Sequence, residues 1–156
     1  MNKKITKEID FAGKKLVLET GILAGQANMA VRASYGDTVV LATATSGGLN
    51  TDLDFFPLSV AYEEKLYASG SIKSSRFVKR DGRPTDEAIV TRRLVDHAIR
   101  PLFPKGFMDD TQVVLTVMSL DPEADPKFLG MLATSATLHA SDIPWHGPTA
   151  SARVGY

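Results

Sequence analysis

Between Lys73 and Lys105 the chain reads KSSRFVKRDGRPTDEAIVTRRLVDHAIRPLFPK, where nine lysines and arginines stand against four acids. The stretch carries a local excess of about five positive charges, yet the 156-residue chain has a formal net charge of +0. The surface as a whole is therefore no field for polyanions, and any nucleic-acid contact has to come from this cluster. Lys79, Arg80 and Arg83 can meet phosphate oxygens, and Gly82 allows the tight loop that would present them. Phe77 offers a ring on which a base can stack, worth about 1–3 kcal/mol and tolerant of any base. The alternative for the same residues is a solvated basic loop with Phe77 tucked into the core.

Arg93, His97 and Arg100 fall at i, i+4 and i+7, on one face of a helix where they could line a groove for a phosphodiester chain. Arg92, Asp96 and Arg100 also form an i, i+4, i+8 charge ladder, which assigns Arg92 a structural role. The positive charge that Asp96 cannot neutralise assigns Arg93 and Arg100 to a ligand. Other candidates carry less. His139, Asp142 and His146 match no specific metal-ligand spacing, and no metal is assigned to them. Ser71, Ser74 and Ser75 beside Gly70 lack the Lys-Ser/Thr of a phosphate-cradling loop and read as turn formers. Asp52 with Asp54, and Asp109 with Asp110, have no neighbouring nucleophile or histidine, so no catalytic constellation is visible.

These residues need a scaffold, and 156 residues at 44% hydrophobic content suit one α+β domain. Lys4 to Phe11 and Lys14 to Thr20 read as a hairpin around Ala12-Gly13, with Ile5, Ile9 and Phe11 facing Leu16 and Leu18. Asn28 to Tyr35 and Thr38 to Thr45 read as a second hairpin across Gly36-Asp37. Ser46 to Asp54 reads as a loop and Leu58 to Glu63 as a half-buried strand, so five strands precede any helix. The first helix starts where Thr85 can cap it, with Asp86 and Glu87 in its first turn. Ala88, Val90, Thr91, Leu94, Val95, Ala98, Ile99 and Leu102 form its packing side, and Arg92, Arg93, Asp96, His97 and Arg100 the other, with Ile89 among them. Thr111 to Leu120 reads as a buried strand. A second helix opens on Asp125-Pro126, and its small residues Gly130, Ala133, Ser135, Ala136 and Ala140 would let it lie close to a sheet. A last strand is expected to begin near residues 148–156, and with no helix to close it the chain suggests a piece of a larger fold. There is no cysteine, no leader-like apolar segment and no apolar run near the roughly 20 residues of a membrane span, a pattern that suggests a cytoplasmic protein without membrane contact.

The order DFFPLSVAYEEKLYASGSI, RFVKRDGRPTDEAIVTRRLVDHAIRPLFPKGF, QVVLTVMSLDP and GPTASARVGY, with ETGILAGQANMAVRASYGDTVVLATAT before it, closely resembles the first core domain of the bacterial polynucleotide phosphorylases over nearly the whole chain. The resemblance implies a ribonuclease PH-like α+β core with a mixed sheet packed against helices over residues 1–156, incomplete at its C-terminus. In that family a second such core, an intervening helical domain and KH and S1 RNA-binding domains follow, and the chains assemble as a ring-shaped homotrimer, with a place in an RNA-degradation assembly. The family's activity is phosphate-dependent 3′-to-5′ degradation of single-stranded RNA with release of nucleoside diphosphates, reversible as polymerisation. Its catalytic acids, phosphate-binding serines and Mg2+ site belong to the second core. The resemblance therefore implies no catalytic residue, no metal and no bound cofactor in this chain, which alone is expected to be inactive, with inorganic phosphate as co-substrate of the full-length enzyme. It places Phe77, Lys79, Arg80 and Arg83 at a central pore that grips RNA, and Arg93 and Arg100 toward the cleft. Two positions depart from the pattern: Val78 stands where a second aromatic is usual, and His97 where arginine is common. The alternatives are a catalytic single-domain ribonuclease PH relative and a non-catalytic RNA-binding ring subunit of the exosome type.

Overall fold

A computed structural model describes residues 3–49, 53–71, 83–152 and 154–155. Strands β1 (Ile5–Phe11) and β2 (Lys14–Thr20) meet across Ala12 and Gly13, whose φ values of 48° and 81° are the paired positive angles of a two-residue hairpin turn. Strands β3 (Met29–Tyr35) and β4 (Thr38–Leu49) pair from Tyr35 opposite Thr38 outward. β5 (Leu58–Glu64) is followed by a single 3₁₀ turn at Leu66–Ser69, by α1 (Asp86–Ile99) and by β6 (Asp109–Ser119). β6 enters the sheet between β4 and β5, giving the order β1-β2-β3-β4-β6-β5. Only β5 and β6 run parallel, and parallel neighbours need a crossover, which α1 supplies. The result is a mixed six-stranded sheet with helices on one face, an α+β fold.

Alternation decides which side is covered. Val40, Ala42 and Ala44 on β4 face the helices with Leu115 and Val113 on β6, and all five are fully buried. α2 (Pro126–Ala140) lies across β3 and β4, and α1 lies against β5. Gly130 faces Leu115 and Tyr62, and a Cβ there would sit 3.7 Å from each, in ordinary van der Waals contact. Ala133 and Ser135 are buried too, whereas Ala136 is half-buried and Ala140 exposed. Gly36 is a close approach, where a Cβ would come within 2.9 Å of Asp121 Oδ2. Lys14 closes that corner, with Nζ 3.3 Å from Asp121 and 3.0 Å from Glu123.

Three expectations change. β4 continues to Leu49 through residues expected to form a loop, because β6 offers it a partner: Ser46 pairs with Thr111 and Leu49 with Asp109. The extra residue is absorbed at Gly47-Gly48 as a bulge. On α1, Val90 and Leu94 are 66% and 59% exposed, although both belong to the expected packing side. That helix rests on the sheet near its β5 edge, so the arc it buries, Ala88, Thr91, Val95 and Ile99, is narrower than its apolar arc. Finally, the described residues from 147 to 155 form no strand. The Thr149 N–H is taken by the Ser135 hydroxyl of α2 at 2.9 Å, a side-chain anchor in place of a ladder.

Candidate nucleic-acid interface

Thr85 sets the start of α1 by its own chemistry. Its Oγ1 accepts the Ala88 N–H at 3.0 Å and donates to Glu64 at 2.7 Å, so the cap also ties the helix to the end of β5. Asp86 and Glu87 occupy the first turn, where the helix dipole favours acids. Arg83 lies two residues before the cap and is exposed, at the rim of a cavity of about 560 Å³.

Along α1 the outer face carries Val90, Arg93, Leu94 and His97, all exposed. Their i, i+3, i+4, i+7 spacing makes one stripe in which Arg93 and His97 interleave with two apolar side chains. Arg92 is exposed beside it, and neither Arg92 nor Arg93 forms an ion pair among the described residues. Arg100 differs. Its NH2 group reaches Asp96 Oδ1 at 2.7 Å and the Leu58 carbonyl at 3.1 Å, Nε donates to both Asp96 oxygens, and NH1 donates to the Phe56 carbonyl at 3.2 Å. Pro57 sends its carbonyl to Thr111 of β6, so those of Phe56 and Leu58 point to the free edge of β5, which Arg100 closes. The guanidinium also lies 5.7 Å from the centroid of the Phe56 ring, itself packed with Phe103 and Phe107.

The ladder drawn from the sequence is thus half formed. Asp96 chooses Arg100, the acid-before-base order that suits a helix, and leaves Arg92 to solvent. Arg83, Arg93 and His97 remain open to a ligand, and Arg100 is engaged within the fold. Phe77, Lys79 and Arg80 lie outside the described residues, as do Asp52, Ser74 and Ser75. His139 and His146 are exposed on different elements, and Asp142 accepts from Asn28 at 3.0 Å. Among the described residues no three His, Asp or Glu side chains converge as metal ligands do. No helix there is long and apolar enough to cross a membrane.

One polar residue has no counterpart among the sequence candidates. Tyr62 on β5 is 4% exposed, and burial pushes its hydroxyl well above the ordinary tyrosine range, helped by the Glu64, Asp125 and Glu87 carboxylates. The only hint in the sequence is a tyrosine at an inward strand position next to Glu63 and Glu64.

Residues 12–144 match the model of the 3′ exoribonuclease family, domain 1. The chain is 53% identical over 154 residues to the polyribonucleotide nucleotidyltransferase of Staphylococcus epidermidis, and 54% identical over 153 residues to that of Macrococcus caseolyticus. These alignments take in 99% and 98% of this chain but 22% of each relative, so the chain spans about a fifth of their length. In three dimensions it is similar to the crystal structure of rice (Oryza sativa) Rrp46, with a TM-score of 0.61 over 92% of this chain and 58% of that one. At 16% identity that likeness is one of fold.

Proposed function

The chain belongs to the 3′ exoribonuclease family, and from that premise we propose that it is the RNA-guiding first core of a phosphorolytic 3′-to-5′ exoribonuclease. In the whole protein inorganic phosphate attacks the terminal phosphodiester, a nucleoside diphosphate leaves, and the reverse reaction extends RNA. The observation that carries the guiding role is the outer face of α1, where Arg93 and His97 stand exposed and Arg93 makes no ion pair among the described residues. Arg93 donates to phosphate oxygens of a passing strand, His97 adds a contact when its imidazole is charged, and Arg83 meets the strand at the head of the helix. Val90 and Leu94 lie between these side chains and give sugars and base edges an apolar surface. Phe77, Lys79 and Arg80 complete the grip in this reading. Arg100 serves the same face by fixing α1 against β5.

In this reading the metal, the phosphate and the reacting groups are supplied by polypeptide outside this chain. The assembly is a homotrimer working on single-stranded RNA in the cytoplasm. The test is a phosphorolysis assay on the isolated chain with 3′-labelled RNA, phosphate and Mg2+: RNA should bind without release of nucleoside diphosphate. Phosphate-dependent release would place the chemistry within these residues and overturn the reading.

A further inference from the structure

Glu64 is the last ladder position of β5, held opposite Val117 of β6, so its side chain starts from the rigid end of the sheet. Among the described residues the partner of its carboxylate is the Thr85 hydroxyl at 2.7 Å, a length typical of an O–H donor on an ionised oxygen. That bond fixes the rotor of the hydroxyl. With its proton committed to Glu64, the Thr85 oxygen turns a lone pair to the Ala88 N–H at 3.0 Å, and the Thr85 carbonyl accepts the Ile89 N–H at 3.0 Å.

Thr85 is preceded by Pro84 and Arg83. Proline holds its own φ at about −65° and confines the residue before it to extended backbone. From Thr85 back to Arg83 the chain is therefore a short stiff arm, and whatever fixes its root at Thr85 aims its tip. Arg83, Thr85 and Glu64 border the same hollow. Arg83 is exposed and makes no ion pair among the described residues, so its direction is set by the arm that carries it. The helix itself is held elsewhere as well: Lys127 of α2 pairs with Glu87, and Arg100 clamps the far end to β5. Loss of the Glu64 contact frees the arm before it frees α1.

We propose that Glu64 is a positioning residue for RNA capture: through Thr85 it holds Arg83 where a phosphate of the entering strand passes. The inference rests on the RNA-guiding reading of Arg83 and α1. A carboxylate beside a cationic site lowers RNA affinity by charge alone. Removing the charge of Glu64 and removing its hydrogen bond therefore act in opposite directions, which lets the two be told apart.

The experiment measures oligo(A) affinity by fluorescence anisotropy for Glu64→Ala and Glu64→Gln, each made in the parent chain, in Arg83→Ala and in Arg93→Ala, with a thermal melt of every variant to show that it is folded. Both substitutions remove the same charge, and only glutamine keeps an oxygen that accepts from Thr85. In the parent, Glu64→Ala should bind about threefold more weakly than Glu64→Gln, as suits one exposed hydrogen bond. The gap should persist in Arg93→Ala and vanish in Arg83→Ala, where the arm no longer carries the group being aimed. Equal binding of Glu64→Ala and Glu64→Gln in the parent, alongside a clear loss in Arg83→Ala, would overturn the positioning role and leave the RNA reading intact. A gap that persists in Arg83→Ala would assign Glu64 to the general hold on α1 and overturn the role as well. Parent affinity in Arg83→Ala overturns the positioning role; parent affinity in Arg93→Ala too overturns the RNA reading with it.

Discussion

Replacing Arg100 by alanine separates a side chain that holds the fold from one that holds a ligand. The substitution removes two hydrogen bonds to the Phe56 and Leu58 carbonyls, the forked pair with Asp96 and the contact over the Phe56 ring. Each bond to a strand carbonyl contributes about 0.5–1.5 kcal/mol. The ion pair is 40% exposed on the arginine side, so it adds about 0.5 kcal/mol, as surface pairs do. The expected loss is about 2 kcal/mol, or about 4–8 °C in thermal midpoint for a chain of this size. Urea denaturation followed by circular dichroism measures it, and Asp96→Asn should give a smaller loss, because the carbonyl contacts survive. Oligo(A) affinity, measured below the melting range, should fall less than in Arg93→Ala. Unchanged stability in Arg100→Ala together with an RNA defect equal to that of Arg93→Ala would refute the structural assignment.

Ala12 sits at φ 48° with its side chain in solvent, so Ala12→Gly should stabilise the chain by about 0.5–1 kcal/mol in urea melts, against the usual cost of glycine. Tyr62 retains its proton in the folded chain at pH values where the unfolded chain, with an ordinary pKa of 10.0, has lost it. Folded stability is thus fully present below pH 10 and falls as pH rises above it, by up to about 1.4 kcal/mol per pH unit. Tyr62→Phe should flatten that alkaline limb, leaving a smaller decline from Lys14, whose pKa is raised first by Glu123 and then by Asp121. His97→Arg should tighten oligo(A) binding and steepen its salt dependence by about 0.7 in slope, measured by fluorescence anisotropy.

What could be read from the sequence was what neighbouring residues decide among themselves. Thr85 with Asp86 and Glu87, and Asp125 with Pro126, start their helices at the expected positions because cap chemistry is local. Ala12-Gly13 and Gly36-Asp37 turn their hairpins for the same reason. Contacts made across the chain were not legible. β4 extends past Ser46 only because Thr111 and Asp109, more than fifty positions later, lie beside it. Val90 and Leu94 share the apolar arc of α1, but where the sheet ends determines whether they are covered. Arg93 and Arg100 look alike on a helical wheel, and only the free edge of β5 distinguishes them. The burial of Tyr62 escaped notice because it depends on α2, whose Gly130 lies against the ring from more than sixty positions away.

The central claim is that the outer face of α1 and its entry residue guide RNA by charge. It is tested most directly by the salt dependence of oligo(A) binding in the parent chain and in the Arg83→Ala/Arg93→Ala double variant. Among the described residues neither position carries fold contacts of the Arg100 kind, so both proteins should melt alike. A weaker affinity in the variant, with the slope of log K against log salt reduced by about 1.4 for two lost phosphate contacts on a single strand, is the predicted result. An unchanged affinity and slope would contradict it.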